Sequence, residues 1–326
     1  MDEKKKVLVT GAAGFIGSKV AEFLLDDGCE VIGIDNMNNY YDVRLKEYRL
    51  GQLLKRQGFQ FEKIDIENLP ALEALFDSHK FGAVLNLAAR AGVRYSMENP
   101  FVYMTTNAMG TLNLLDCMRL HGVKKFVLAS TSSLYAGQPM PFVETMPVNE
   151  PISPYAASKK AAEAMAYAYH YLYGIDITVV RYFTVYGPAG RPDMSIFRFI
   201  KWIDEGHPIE LFGDGNQSRD FTYIDDIARG TIAAMKPLGY EIINIGGGQE
   251  PVTIMEMIHI FERELGKKAI IDVRPSNKSD MKDTSADISK ARTFLNWSPF
   301  VTPGDGFKMT VEWYRSNTTM VSKIKV

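Results

Sequence analysis

Short runs of Val, Ile, Leu and Phe recur through the first half of the chain, and between them apolar residues return every three or four positions. The runs Val7 to Thr10, Val31 to Asp35, Phe59 to Asp65, Ala83 to Ala88, Phe126 to Ser130 and Ile177 to Phe183 are almost unbroken, which predicts strands buried on both faces. The helical spacing predicts helices over Ile16 to Asp27, Asp42 to Gln57, Pro100 to His121 and Pro154 to Tyr173. Strand and helix in alternation imply an α/β chain with a doubly wound parallel sheet. After about Tyr182 the rhythm loosens into loops rich in Gly and Pro, with isolated strands and shorter helices. We therefore expect one domain over residues 1–182 and a second, smaller α/β domain mainly over 183–326, with segments near 222–250 returning to the first.

Composition narrows the function more than the fold. The formal net charge is −2 and the only block of like charge is Lys4 to Lys6, which argues against a nucleic acid or a membrane surface as partner. Two cysteines, Cys29 and Cys117, offer neither a disulfide framework nor metal-ligand spacing and fit a reducing compartment. Five scattered histidines give no metal pattern, so no metal is expected. The charged start at Met1 to Lys6 runs straight into a strand and lacks the apolar core of a signal peptide, so a cytoplasmic location is expected.

Chemistry enters at Gly11-Ala12-Ala13-Gly14-Phe15-Ile16-Gly17, between the first strand and the first helix. Glycines there let the backbone turn sharply and approach a pyrophosphate, whose charge rests on free N–H groups at the helix start. Eighteen residues beyond Gly17, Asp35 ends the second strand, where a carboxylate accepts from an adenosine ribose and repels a 2′-phosphate. The pair of signals predicts a Rossmann-type sheet that binds NAD. Asp65 ends the third strand, placed either to meet the adenine or simply to cap the strand.

The second motif is Tyr155-Ala156-Ala157-Ser158-Lys159. Ser153 is a good N-cap and Pro154 a good first helical residue, so Tyr155 falls in an opening turn and Lys159 lies below it on one face. An adjacent ammonium favours the phenolate, and the pair can take a proton from a sugar hydroxyl. Ser130-Thr131-Ser132-Ser133 closes the fifth strand, and a hydroxyl there could share that proton.

These residues resemble the extended short-chain dehydrogenase/reductase family of sugar-nucleotide epimerases and dehydratases, from Val7 to about Tyr314. The resemblance implies that Thr131, Tyr155 and Lys159 are the catalytic hydroxyl, the general acid/base and its supporting lysine. It places Gly11, Gly14, Phe15, Ile16, Gly17, Asp35, Asn36, Asp65, Ile66, Leu87, Ala88, Ala89, Tyr155, Lys159 and Tyr182 around the cofactor. Family dehydratases and decarboxylases carry acidic residues just after the catalytic hydroxyl, where Ser132 and Ser133 stand here. That points to oxidation and re-reduction of one carbon, hence to epimerisation through a transient 4-keto sugar.

Three stretches, Asp35 to Lys46, Ala88 to Ser96 and Arg181 to Met194, look like the branch of the family that inverts C4 of UDP-glucuronate. Ser132, Ser133 and Thr184 could hold a sugar carboxylate through neutral hydrogen bonds, or could merely satisfy loop backbone. Arg94, Arg191, Arg219 and Asp280 complete the expected substrate contacts, with Arg191 and Arg219 as the diphosphate cations. Relatives carry an arginine followed by Gly-Asp near the last strand, whereas this chain reads Ser276-Asn277-Lys278-Ser279-Asp280. A neutral UDP-sugar epimerase and a non-catalytic NAD-binding protein remain the alternatives. The apolar helices from Pro100 and Pro154 and the family resemblance together imply a homodimer.

Overall fold

The computed structural model describes residues 5–275 and 281–326. Alternation begins with β1 (Lys6–Thr10), α1 (Phe15–Asp26), β2 (Glu30–Ile34), α2 (Val43–Leu53), β3 (Phe59–Glu62), α3 (Leu69–Ser78) and β4 (Ala83–Asn86). It continues through α4 (Val93–Glu98), α5 (Phe101–Tyr103), a π-helical segment at Met104–Met109 and α6 (Gly110–His121) to β5 (Lys125–Thr131), α7 (Pro154–Tyr173) and β6 (Asp176–Tyr182). The remaining chain forms β7 (Thr184–Tyr186), α8 (Ser195–Glu205), β8 (Pro208–Phe212), β9 (Ser218–Arg219), β10 (Phe221–Tyr223), α9 (Ile224–Ala233) and β11 (Tyr240–Ile245). It ends with β12 (Val252–Thr253), α10 (Ile254–Leu265), β13 (Ile270–Arg274), α11 (Pro303–Ser316) and α12 (Thr318–Val321).

Seven strands form one sheet in the order β11-β6-β5-β4-β1-β2-β3, and every pairing in it is parallel. Alternating strand residues feed two cores. Val7, Val9, Leu85, Val127 and Val180 pack with α1 on one face, while Leu8, Val84, Phe126, Leu128 and Val179 pack with α3 and α6 on the other. Burial on both faces is why the runs are apolar without a two-residue alternation. A third core, outside the sheet, joins α8, α10 and α11 through Phe197, Ile200, Met257, Phe261 and Phe307.

β2, β3 and β4 are shorter at their C-terminal ends than the apolar runs suggest, because Asp35, Ile64 to Asp65 and Leu87 to Ala88 have already turned into loops. β1 ends at Thr10 as expected, and β5 runs one residue on to Thr131. α2 stops at Leu53, and the single predicted helix from Pro100 to His121 is interrupted by the π segment. α7 spans Pro154–Tyr173 as expected, with the Ser153 hydroxyl accepting from Ala156 N and Gly174 closing the helix at φ 64°. Among the described residues no helix is long and apolar enough to cross a membrane, and no group of acidic, His and Cys side chains could hold a metal.

Candidate active site

The chain runs from β1 outward to β3 and then returns to β4 on the opposite side of β1, so the strand order reverses between β1 and β4. A crevice at such a reversal, beyond the C-terminal strand ends, is where open α/β sheets take ligands. A cavity of about 450 Å³ lies there, and the glycine turn, the ends of β2, β4 and β5, the start of α7, the β6–β7 junction and Arg219 all line it.

The glycine turn is built for close approach. Gly14 N donates to Gly11 O at 2.8 Å, and Gly11 adopts φ 68°. A Cβ on Gly11 would lie 2.8 Å from Ala88 N, and one on Gly17 would lie 2.1 Å from Gly11 O, so neither position accepts a side chain. The facing Leu87-Ala88 turn is fixed by Thr10, whose Oγ1 donates to Asn86 Oδ1 and accepts from Leu87 N and Ala88 N. This cradle, open to the start of α1 and flanked by Asp35, fits the diphosphate and ribose of a dinucleotide. Asp65 lines the cavity and is also held locally, accepting from Asn36 Nδ2 at 2.7 Å and from Glu67 N at 3.0 Å. The local bonds are those of a residue that closes its strand, and its place on the cavity wall leaves the adenine contact open as an expectation. Phe15, Ile16, Asn36, Ile66 and Ala89 line the same end. Tyr182 lines the cavity while its hydroxyl is committed to Thr231 at 2.6 Å.

At the other end, Thr131, Tyr155 and Lys159 converge. Thr131 terminates β5, and Ser133 N donates to its Oγ1 at 3.1 Å as the chain enters a turn of 3-10 helix. Tyr155 is half-buried in the opening turn of α7 with the Thr131 side chain beside its hydroxyl, while Thr131 Oγ1 donates to Ser133 Oγ at 3.1 Å. Burial raises the phenol above its usual range, while the Thr131 hydroxyl and the Arg191 charge pull it down and Tyr40 adds to the rise. Lys159 is 4% exposed and donates to Ala129 O at 2.9 Å. Burial holds its ammonium down to about 8, and the carboxylate of Glu163 opposes that shift.

The expected substrate residues divide. Ser132, Ser133, Thr184, Arg191 and Arg219 line the cavity. Arg191 pairs with Asp193 and lies over the rings of Tyr40 and Tyr41, 5.7 and 5.9 Å from their centroids. Its charge reaches the Tyr155 phenol. Arg219 donates to Ser218 O and Lys282 O, each at 2.8 Å. Arg94 does not line the cavity; its guanidinium lies 4.0 Å from the Phe212 ring centroid. Asp280 falls outside the described residues.

Three features in and behind the cavity wall escaped the motif reading. Tyr40 and Asn38, on the loop after β2, line the pocket opposite Tyr155, and only the stretch Asp35 to Lys46 as a whole pointed at them. Lys46 reaches the pocket from α2. Asn107, buried in the π segment, accepts from Arg90 N at 2.8 Å and donates to Arg90 O and to Ser158 Oγ, so it ties the loop after β4 to the catalytic helix. A π turn is a frequent mark of functional sites, but no local sequence signal announces it.

Comparison with known proteins agrees with this layout. The family model described as NAD dependent epimerase/dehydratase matches residues 7–246. A UDP-glucuronate 4-epimerase of Thermodesulfobacterium geofontis is 60% identical over 319 residues, covering 98% of this chain and 99% of that protein. Among solved structures, UDP-glucuronic acid 4-epimerase from Bacillus cereus, in complex with UDP-glucuronic acid and NAD, superimposes with a TM-score of 0.89 at 40% identity, covering 95% of this chain and 99% of that one. UDP-glucose 4-epimerase from Thermotoga maritima, with UDP-glucose, gives 0.87 at 32% identity, covering 96% and 99%.

Proposed function

The chain belongs to the NAD dependent epimerase/dehydratase family, and from that membership we propose that it interconverts UDP-glucuronate and UDP-galacturonate by inverting C4. NAD, when bound, supplies the hydride acceptor and donor for that carbon. The carrying observation is that Thr131, Tyr155 and Lys159, with Tyr155 one helical turn above Lys159, share a cavity with a glycine cradle and an acidic strand end.

Gly11, Gly14 and Gly17 would hold the diphosphate of the cofactor and Asp35 its adenosine ribose. Tyr155, as a phenolate that the Lys159 ammonium supports, takes the proton of the C4 hydroxyl with the Thr131 hydroxyl beside it and becomes the neutral phenol. The 4-keto sugar then turns over so that its other face meets the returning hydride, and Tyr155 gives its proton back to the C4 oxygen. A uronate oxidised at C4 is a β-keto acid and loses carbon dioxide when its carboxylate rotates out of the ring-held orientation. The hydroxyls of Ser132, Ser133 and Thr184 restrain that group without an acidic neighbour to repel it, and Arg191 approaches the same end with a compensating charge. Arg219 grips the substrate diphosphate.

The exposed apolar side chains along α5 through α7, Phe101 at 80% and Tyr171 at 77% with Met109, Tyr167 and Leu172, support a homodimer as part of this reading. Two unpaired cysteines suit the cytoplasm as its location.

The test is incubation of purified protein with UDP-glucuronate, UDP-glucose and UDP-xylose and no added NAD, with product separation, alongside a Tyr155→Phe variant. Galacturonate product from UDP-glucuronate alone, abolished in the variant, is expected. Turnover confined to UDP-glucose, or release of a pentose product, would replace this reading.

A further inference from the structure

The ribose end of the cavity contains a buried ion pair between Asp35, just beyond β2, and Lys46, on α2. The charged atoms are 3.2 Å apart, the side chains are 5% and 6% exposed, and both residues line the cavity. Asp35 Oδ1 accepts from Lys46 Nζ and also from Met37 N at 2.8 Å. Among the described residues no donor reaches Oδ2, so that oxygen is left for a ligand hydroxyl. An ammonium carries three N–H donors and Asp35 uses one, with the Tyr41 ring 5.5 Å away on one side. The nearby Arg49 is committed to the carbonyls of Ala13, Ala189 and Gly190 and does not line the cavity.

A lone carboxylate beside an adenosine ribose excludes a 2′-phosphate by repulsion. A carboxylate matched to an ammonium excludes it far less, and the ammonium itself is a phosphate ligand. We propose that Lys46 is a cofactor-selectivity residue: it shares the adenosine ribose with Asp35 and constitutes a 2′-phosphate site that Asp35 masks. The inference rests on the NAD-binding part of the proposed function. The preference for NAD is then a balance within one ion pair, in which Asp35 outweighs Lys46 because its free oxygen accepts the ribose hydroxyls.

The experiment strips nucleotide from full-length wild type, Asp35→Asn, Lys46→Met and the double variant, checks folding by thermal unfolding, and titrates each with NAD and with NADP by calorimetry. Asp35→Asn is expected to tighten NADP binding by about tenfold or more, and the double variant to lose that gain. Lys46→Met alone is expected to weaken NADP by a larger factor than NAD, which keeps the proposal testable if Asp35→Asn does not fold. No gain in Asp35→Asn, a gain that survives in the double variant, or equal losses of both nucleotides in Lys46→Met would overturn it. Wild-type protein that binds neither nucleotide would instead remove the functional reading, whereas normal NAD binding with unchanged ratios overturns this inference alone.

Discussion

Lys159 donates from Nζ to the carbonyl oxygen of Ala129 at 2.9 Å, so the ammonium beneath Tyr155 is anchored to the strand that delivers Thr131 two residues later. Acid/base and hydroxyl therefore keep their spacing through this bond between helix and strand, and a shift of β5 against α7 would break it and carry Thr131 away from Tyr155.

That anchoring has a pH consequence. Burial holds Lys159 down to about 8, below the ordinary lysine value of about 10.4. The native state binds fewer protons than the unfolded chain between these values, so stability rises with pH from about 8 to about 10.4, and the penalty of the buried ammonium is fully in place below about 8. Catalysis runs the other way, since neutral Lys159 no longer supports the phenolate. We expect kcat for C4 inversion to fall as pH rises through about 8, and Lys159→Arg to carry that limb out of the accessible range while lowering kcat at neutrality. The measurement is kcat against pH for both proteins, and coincident limbs would contradict it.

One turn further along α7, Glu163 meets Arg181 of β6 in a two-pronged pair at 2.9 and 2.8 Å, with side chains 2% and 1% exposed. Ser130 Oγ donates to the same carboxylate, and Arg181 also donates to the Tyr135 hydroxyl. Removing one partner strands a buried charge. Glu163→Gln is expected to cost about 3–5 kcal/mol in urea unfolding, and Glu163→Leu with Arg181→Met to recover most of it. A loss below about 1 kcal/mol would place the pair among weakly coupled surface bridges.

The glycine cradle can be tested without touching the chemistry. Gly17→Ala puts a methyl 2.1 Å from Gly11 O, where only backbone can yield. Purified Gly17→Ala protein should carry less than about a tenth of the wild-type NAD and lose about 1–3 kcal/mol of stability. Nothing lies within 4 Å of a Cβ on Gly304, in the first turn of α11, so Gly304→Ala should keep its nucleotide. Equal NAD content in Gly17→Ala and wild type, read by absorbance after acid release, would disprove the cradle.

Much of this site was legible because local chemistry dictated it. Ser153, Pro154 and Gly174 punctuate α7 so clearly that its ends fall where the sequence puts them, and the six apolar runs lie in strands because nothing else buries both faces. α3 went unseen, since its apolar face of Leu72, Leu75 and Phe76 spans barely more than one turn. The π segment was invisible because its cause, Asn107 bonding Arg90 and Ser158, is tertiary. No local signal singles out Lys46 within the stretch Asp35 to Lys46, and only its approach to Asp35 marks it out.

β11 gives the molecule a particular mechanical character. The polypeptide departs from the sheet at β6, builds β7 through α9, and comes home as the outermost strand beside the one it left, before departing again. The outer lobe is thus stitched to the sheet at several crossings, and the cleft walls cannot swing apart on a lone hinge. Breathing that admits a nucleotide sugar must come from the loops at the rim, and heat should dismantle both halves in a single cooperative step.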